Sequence, residues 1–251
     1  LLKILLEAKF VVDYHGITPS ETFKTKRDID QSIFAESIAK IVLPYADAII
    51  VHSQYMKNEV KEKYGLTAQV IPLGVDLNHF RRIGHEQILN KYNSKDKHII
   101  VYVGRLVPHK RIDILIEAFT LVQKTLKDSA LLIIGTGAEQ ANLENLASAH
   151  GLQKKVFFIG ECSDENLPKY YSAAEVLVIP SVHEGFCSPI LEAMACGTPV
   201  IGSDCTAVSE TLGDCGMLFE PNNASDLANK ILILLGDEEL SKRLVRKSLE
   251  Y

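Results

Sequence analysis

Short apolar runs of strand length alternate with amphipathic stretches along most of the chain. The apolar runs predict strands at residues 10–14, 48–51, 69–71, 98–103, 130–134, 156–159, 176–179, 199–202 and 217–219. Apolar side chains recur at helical spacing between residues 112 and 126, which predicts a long helix with one buried face. Two further helices are expected near residues 30–43 and 54–64. Because strands and helices alternate, the pattern indicates an α/β fold with parallel sheets.

The spacing of these elements divides the chain into two regions. From residue 98 onward, six strands with crossover helices predict a complete Rossmann-like domain. Only three strands precede residue 76, so the first region is expected to be the later part of a larger domain. We therefore predict an incomplete N-terminal domain over residues 1–76, a polar linker over 77–97 and a C-terminal domain over 98–251.

Composition narrows the class of protein. The chain has 251 residues, of which 47% are hydrophobic and 24% charged, and this is enough for a substantial core. Its formal net charge of −5 argues against nucleic-acid binding through a general basic field. The five cysteines include no C-x-x-C pair and are odd in number, which suggests neither a zinc site nor a disulfide framework. No apolar run approaches the roughly 18 residues of a membrane span. We therefore expect a cytoplasmic protein, with at most peripheral contact to a membrane.

The segment VHEGFCSPILEAMACGTPVIGSD, at residues 182–204, predicts a loop, a short helix and a strand. Ser188 is expected to be the helix N-cap, followed by proline at the first helical position. Gly197 is expected to end the helix with a positive φ. A strand–loop–helix–strand unit places the loop and the start of the helix at the carboxyl edge of a parallel sheet, where ligands usually bind.

Two carboxylates and free backbone groups give this segment its chemistry. Glu184 lies in the predicted loop, and Glu192 lies in the helix, where its carboxylate can reach a hydroxyl group. The N–H groups around Gly185, Phe186 and Ser188 are expected to receive an anion at the positive end of the helix. The alternative is a solvated loop acid and an ordinary acid on the helix surface, and the segment alone leaves both interpretations open.

Two cations follow the predicted strand at residues 98–103. Arg105 and Lys110 are expected at the same carboxyl edge, in the segment VGRLVPHKR. A guanidinium fork and a mobile ammonium could together neutralise a diphosphate and stabilise it as it departs. Either residue could instead be a solvated loop cation, and Arg111 could take the role of Lys110.

Three other short motifs carry weaker signals. His15 lies at the carboxyl end of the first predicted strand, where it could face a cleft or cap local backbone. The Gly-Thr-Gly segment at residues 135–137 resembles the start of a G-x-G-x-x-G fingerprint but lacks the third glycine. It could therefore admit a nucleotide other than NAD or simply pack closely. His183 and Glu184 do not form H-E-x-x-H, and we expect no metal site.

Five segments occur in order along essentially the whole chain: His15-Gly16 after an early strand, ADAIIVHSQYMKNEV, VIPLGVDLNHF, VGRLVPHKRIDILIEAF and EGFCSPILEAMACGTPVIGSD. Together they resemble the retaining GT-B glycosyltransferases of group 1, often called family four. Glu184 and Glu192 match the E-x7-E element of that family, which with its surroundings is far more specific than any single residue. The resemblance implies two Rossmann-like domains with parallel sheets, the N-terminal one incomplete in this chain.

The resemblance also implies a role for each matched residue. Arg105 and Lys110 match the pair that grips the donor's diphosphate and would supply most of the catalytic stabilisation. Glu192 matches the acid that binds the nucleotide ribose, and Glu184 matches the acid near the donor sugar. His15 matches the histidine that approaches the transferred sugar across the cleft. Loop contacts are implied for Gly185, Phe186 and Ser188.

The implied activity is transfer of a sugar from a UDP- or GDP-linked donor to a glycan, lipid or small-molecule acceptor, with retention of anomeric configuration. No cofactor, metal or nucleic-acid partner is implied. Two alternatives stay open: a nucleotide-sugar 2-epimerase-like isomerase on the same fold, and a donor-binding fragment without turnover. The second arises because the glycine-rich loop that usually faces donor and acceptor is expected to be missing. The chain also departs from the family's pattern at Arg111, where glycine often follows the motif lysine.

Overall fold

Two parallel sheets, each with helices packed around it, make up the protein. The computed structural model describes residues 8–92 and 98–251. The smaller sheet, with three strands, precedes the larger sheet, with six, and all pairings between these strands are parallel. The predicted α/β class is therefore confirmed, while the domain limits at residues 76 and 97 stay predictions. Among the described residues, no helix combines the length and the apolarity needed to cross a membrane.

The smaller sheet has the strand order β1-β2-β3. Its strands are β1 Val11–Asp13, β2 Ala48–Val51 and β3 Gln69–Val70, where the apolar runs predict them. Helix α1, Lys26–Val42, connects β1 to β2, and helix α2, Gln54–Tyr64, connects β2 to β3. Because these connections are crossovers, the carboxyl ends of all three strands meet at one edge.

The larger sheet has the order β6-β5-β4-β7-β8-β9. Its strands are β4 His98–Val103, β5 Ser129–Ile134, β6 Val156–Gly160, β7 Val176–Ile179, β8 Val200–Ser203 and β9 Met217–Phe219. The helices around it are α3 Glu86–Lys91, α4 Ile112–Thr125, α5 Gln140–Ala149, α6 Leu167–Ala173, α7 Ser188–Ala195, α8 Thr206–Leu212, α9 Ala224–Gly236 and α10 Glu238–Glu250. The strand order reverses between β4 and β7, and such a reversal opens a crevice for ligands at the carboxyl edge.

Two helices differ from the sequence prediction. Helix α1 begins at Lys26, four residues earlier than predicted, because the Thr25 hydroxyl accepts a hydrogen bond from the Asp28 N–H and caps the helix. Helix α3 lies inside the region predicted to be a polar linker, where Ile88 packs into the core of the larger sheet. Residues 93–97 of that predicted linker lie outside the described residues.

The core of the larger sheet lies on both of its faces. Along β4, Ile100 and Tyr102 pack into one buried cluster, while Ile99 and Val101 pack into the other. All six residues of β5 are buried, as expected of a central parallel strand covered by helices on both sides. Each buried aliphatic side chain contributes about 1.5–3 kcal/mol, so this core holds the strand ends in fixed positions.

Candidate functional site

A pocket of about 250 Å³ lies between the carboxyl edges of the two sheets. Six of the eight residues predicted to form a site line it: His15, Lys110, Glu184, Gly185, Phe186 and Ser188. The smaller sheet also contributes Tyr14 and His52, and the larger sheet contributes Tyr102 and Gly104. Residues that are far apart in the sequence therefore meet at the edge where the strand ends place them.

An ion pair joins two loops at one wall of this pocket. The Lys110 Nζ lies 2.6 Å from Glu184 Oε1, and the two side chains are only 14% and 13% exposed. Lys110 ends a short 3-10 turn after β4, and Glu184 lies in the loop after β7. The Glu184 backbone N–H donates to the Thr206 hydroxyl at 3.2 Å, which fixes the loop from behind. The pair therefore presents an ammonium in a defined position, unlike the solvated cation that was the alternative interpretation.

Two buried histidines next to the Lys110–Glu184 ion pair add no positive charge at neutral pH. Burial, with a further contribution from Lys110, lowers the pKa of His109 to about 3. Burial also lowers the pKa of His183 below its ordinary value. The His109 carbonyl accepts from the Val182 N–H at 2.9 Å and so joins the two loops. The positive charge at this edge is therefore carried by lysine and arginine.

Arg105 lies beside the pocket and outside its lining. Its side chain is exposed and makes no ion pair or hydrogen bond within residues 8–92 and 98–251. The backbone beneath it is held, because its carbonyl accepts from the Tyr102 hydroxyl at 3.0 Å. The guanidinium is thus free to bind an anion.

The Gly-Thr-Gly segment at residues 135–137 packs against the loop that carries Arg105. A Cβ at Gly135 would overlap the Gly104 carbonyl, and one at Gly137 would overlap the Leu106 carbonyl. The Leu106 N–H donates to the Thr136 carbonyl at 2.9 Å. Close packing therefore explains these glycines.

Arg111 stands where the family that the chain resembles often has glycine, and it keeps a backbone conformation that glycine adopts readily. Arg111 has φ of 49° and ψ of 42°, in the left-handed region that glycine adopts without cost. Its Nε lies 3.1 Å from Asp113 Oδ1, and Nη1 donates to the Asn222 side chain. Because these contacts engage the guanidinium, Arg111 does not replace Lys110 in the pocket, whose lining it does not join.

The start of helix α7 differs from the prediction at one position. Cys187 is the N-cap, with φ of 84° and no side-chain capping bond, and Ser188 is already the first helical residue. The predicted capping role of Ser188 is therefore wrong, because the left-handed turn at Cys187 brings the chain into the helix one residue earlier. The N–H groups of Gly185, Phe186 and Ser188 bond to no described residue, which leaves them available to an anion. Gly197 follows the helix with φ of 70°, as predicted.

Glu192 is held by a residue that the sequence did not single out. The Tyr171 hydroxyl donates to Glu192 Oε2 at 2.7 Å. Burial raises the pKa of Glu192, and the hydrogen bond from Tyr171 partly offsets that rise. The other carboxylate oxygen has no hydrogen bond among the described residues. Like Arg105, Glu192 lies outside the pocket lining.

Direct contacts connect the two sheets next to the pocket. The Ser53 hydroxyl donates to the Gly185 carbonyl at 2.7 Å. The Glu210 carboxylate accepts from the N–H groups of Gln54 and Tyr55 at 2.6 and 2.9 Å, at the positive end of helix α2.

A Cβ at Gly185 would lie 2.7 Å from the carbonyl oxygen of His15, so this close approach requires glycine.

His15 and His52 line the pocket from the smaller sheet, and Asp13 contacts both of them. His15 Nε2 lies 3.3 Å from Asp13 Oδ2, and His52 Nε2 lies 2.9 Å from Asp13 Oδ1. The rings of His15 and His52 have centroids 4.6 Å apart. Sequence reasoning missed His52, although it directly follows β2 and His15 lies two residues after the end of β1, and that position was the available signal.

Comparison with known proteins by sequence gives consistent matches. The family model described as glycosyl transferases group 1 matches residues 85–250, and the model described as glycosyltransferase family 4 matches residues 1–79. An uncharacterized glycosyltransferase of Methanocaldococcus jannaschii is 32% identical over 253 residues, which cover 100% of this chain and 65% of that protein. O-antigen chain mannosyltransferase B of Escherichia coli is 32% identical over 203 residues, which cover 78% of this chain and 53% of that protein. The chain thus spans between half and two thirds of the length of these relatives.

Solved structures share the same fold. Sucrose-phosphate synthase from Thermosynechococcus elongatus matches with a TM-score of 0.87 and 29% identity, over 99% of this chain and 64% of that one. Anabaena HepE in complex with UDP and glucose matches with a TM-score of 0.83 and 22% identity, over 98% of this chain and 67% of that one.

Proposed function

This chain belongs to the group 1 glycosyltransferases, and on that basis we propose that it transfers a sugar from a nucleotide-linked donor to a glycan, lipid or small-molecule acceptor. Its fold is GT-B, with a partial N-terminal domain and a C-terminal domain. The proposed transfer retains anomeric configuration and uses no metal or other cofactor. We place the protein in the cytoplasm, with peripheral membrane contact if the acceptor is a lipid.

The proposed donor is UDP- or GDP-linked. HepE, which has the same fold, is described in complex with UDP and glucose. A relative from Mycolicibacterium smegmatis, 28% identical over 205 residues, is named a GDP-mannose-dependent mannosyltransferase of phosphatidylinositol monomannoside. These two proteins are named with different nucleotide bases and different sugars, so UDP and GDP should both be tested as ligands of this chain.

The observation that carries the proposal is the arrangement of Lys110 and Glu184 in a pocket that also contains His15. We assign the diphosphate to Lys110, to Arg105 beside the pocket, and to the free N–H groups at the start of α7. Glu184 would receive hydroxyl groups of the donor sugar with the carboxylate oxygen that Lys110 leaves free. His15 would approach the same sugar from the smaller sheet.

Ribose binding is assigned to Glu192. The Tyr171 hydroxyl fixes one oxygen of its carboxylate at 2.7 Å, so the second oxygen can accept from a ribose hydroxyl in a defined direction. Burial makes such a hydrogen bond stronger than it would be in water.

Retention of the sugar's anomeric configuration usually needs a carboxylate nucleophile on the far side of the ring. We propose instead a same-face route, in which the departing diphosphate takes the proton of the acceptor hydroxyl. Lys110 and Arg105 would stabilise the negative charge that develops on the leaving phosphate. These cations are therefore proposed as catalytic residues as well as binding residues.

Calorimetric titration with UDP and GDP tests this assignment. Arg105→Ala and Glu192→Ala are each expected to lower the affinity for whichever of UDP and GDP binds more tightly. The expected loss is at least about tenfold, since each variant removes a charged hydrogen-bonding group. Lys242→Ala is the matched control, because Lys242 is an exposed cation on α10, paired with Glu238 at 2.8 Å. Unchanged affinity in both site variants would show that the assignment is wrong.

A donor-binding module without turnover is the second candidate, because the residues assigned to the donor's diphosphate and ribose, Lys110, Arg105 and Glu192, all belong to the larger sheet and its connections. Tight nucleotide binding without transfer, restored in a longer protein, would support it. Incubation of a nucleotide sugar without acceptor separates both candidates from a 2-epimerase-like isomerase, since only the isomerase would convert the donor.

A further inference from the structure

Three metal-ligating side chains converge where β1 and β2 end. We propose that Asp13, His15 and His52 form a binding site for a divalent transition-metal ion of the zinc class. Parallel pairing sets Asp13 against Ile50, so the residues that follow the two strands emerge side by side. The candidate ligand atoms of all three side chains lie within 4.8 Å of one another.

The orientation of His52 is the strongest argument for the site. Its Nδ1 lies 2.9 Å from the Ile71 carbonyl oxygen, which can only accept, so Nδ1 carries a proton. In the neutral ring, Nε2 then has a lone pair. A backbone carbonyl that fixes the second ring nitrogen in this way is the usual outer partner of a metal-binding histidine.

In the neutral ring, the Nε2 atom of His52 faces a carboxylate oxygen and has no proton to donate to it. The side chain is only 6% exposed, and Nε2 makes no hydrogen bond among the described residues. Asp13 Oδ1 lies 2.9 Å away but is not aligned for a hydrogen bond. A buried lone pair therefore faces a carboxylate oxygen, and a cation bound between them would satisfy both atoms.

The chemistry of the ligands selects the metal. Two imidazoles and one carboxylate suit zinc and its first-row neighbours, whereas magnesium and calcium prefer sites made wholly of oxygen. Ligands about 2.0–2.2 Å from a tetrahedral zinc ion lie roughly 3.4 Å apart. His15 Nε2 lies 3.3 Å from Asp13 Oδ2 and His52 Nε2 lies 2.9 Å from Asp13 Oδ1, so each imidazole is within about 0.5 Å of that value from one of the two carboxylate oxygens.

The site is accessible to an ion, and its three ligands leave one coordination position of the ion open. The side chains of His15 and Asp13 are 63% and 53% exposed, so only His52 is buried. Three protein ligands leave a fourth position for water or a ligand group. The expectation of no metal rests on the cysteine pattern, the failed H-E-x-x-H motif and the family resemblance, and neither of the two motifs includes these residues.

Occupancy of this site would affect the proposed transfer reaction. His15 and His52 both line the pocket that contains Lys110 and Glu184. A metal ion held by His15 would prevent that imidazole from approaching the donor sugar, so zinc is expected to inhibit transfer. This consequence rests on the proposed function, whereas binding of the ion does not.

Zinc titration of chelator-treated protein by calorimetry, with no nucleotide present, tests the site directly. We expect one Zn²⁺ per chain, and a visible absorption band when Co²⁺ is used in its place. His15→Ala and Asp13→Asn should each weaken Zn²⁺ by about 100-fold or more, since loss of a ligand costs at least as much as loss of an outer partner. His98→Ala is the control, because His98 pairs with Glu175 on the larger sheet.

His52→Ala should abolish binding, and circular dichroism identifies a variant that fails to fold. The exposed His15 and Asp13 variants keep the test valid in that case. Absence of saturable Zn²⁺ binding, or binding that survives in both exposed variants, would overturn the proposal. A charged His52 paired with Asp13 is the arrangement that such a result would support. Nucleotide titration in the presence of chelator does not depend on metal binding, so failure of the metal site would leave the proposed function untouched.

Discussion

The ammonium of Lys110 lies 2.6 Å from the carboxylate of Glu184, although 74 residues separate them in the chain. They meet because β4 and β7 are neighbours in the larger sheet and their following loops leave from the same edge. The pair is mostly buried, so each charge holds the other in place. In the proposed donor complex, the phosphate would therefore meet an ammonium that is already oriented.

Lys110→Met tests the role of that ammonium in donor binding. A hydrogen bond from a charged group contributes about 1.5–3 kcal/mol, so nucleotide affinity should fall roughly 10- to 100-fold. The variant also leaves the Glu184 carboxylate without its partner, which adds repulsion toward phosphate. Calorimetry with UDP and GDP measures the effect, and Lys242→Met is the control on the exposed surface of α10. Equal affinity in the two variants would exclude phosphate binding by Lys110.

Gly185→Ala tests the close approach of the two sheets. The added Cβ would lie 2.7 Å from the His15 carbonyl oxygen, which is backbone and cannot rotate away. Overpacking of this kind typically costs 1–3 kcal/mol, and we expect a clear drop in the melting temperature together with weaker nucleotide binding. Gly236→Ala is the matched control, since a Cβ there meets no atom within 4 Å. A melting temperature equal to that of the control would contradict the contact.

Tyr171→Phe tests the support of Glu192. Burial raises the pKa of Glu192 and the Tyr171 hydroxyl lowers it, so the variant should raise that pKa further. Under the proposed ribose binding by Glu192, nucleotide affinity depends on the charged carboxylate, so the loss of affinity on acidification should begin at a higher pH in the variant.

Titrations across a series of pH values measure this shift in Tyr171→Phe. Tyr170→Phe serves as control, because the Tyr170 hydroxyl lies 3.3 Å from that of Tyr92, away from Glu192. If the pH profiles of the two variants coincide, Tyr171 does not set the charge of Glu192.

The pH dependence of stability should report His109. Its pKa is lowered from 6.5 to about 3 in the folded protein, so only the unfolded chain binds a proton between these values. The stability that this neutral side chain contributes is therefore fully present above pH 6.5 and is lost as pH falls toward 3. The contribution to the slope approaches about 1.4 kcal/mol per pH unit at most.

Urea unfolding at several pH values measures that slope. His109→Leu should give a flatter dependence than the wild type below pH 6.5, the ordinary histidine pKa. His150→Gln, at an exposed position, should follow the wild type. Parallel curves for wild type and His109→Leu would show that His109 is not held neutral.

Much of the site could be predicted because strand ends determine where loop residues emerge. Apolar runs located the ends of β4 and β7, which predicted Lys110 and Glu184 at one sheet edge, and the end of β1, where His15 could face a cleft. Contacts between elements distant in sequence were not predictable in this way. The hydrogen bond from Tyr171 to Glu192 joins α6 to α7, and no local pattern encodes it.

The start of helix α7 shows a different limit of sequence reasoning. Ser188 before proline matches the usual N-cap pattern, but the chain enters the helix through Cys187 with φ of 84°. Local preference was overridden there, because the loop must also bring Gly185 against the smaller sheet. Strained conformations of this kind persist when surrounding contacts determine them, and they concentrate at functional sites.

The contacts of Glu210 and Ser53 have a kinetic consequence. The Glu210 carboxylate accepts two N–H groups from α2, and Ser53 donates to Gly185. Separation of the two sheets must break all three hydrogen bonds, so we expect any open form to be the minor one. A donor that enters only through the open form should associate more slowly than diffusion allows. Glu210→Ala should increase the association rate measured by stopped-flow, and an unchanged rate would show that these contacts do not gate entry.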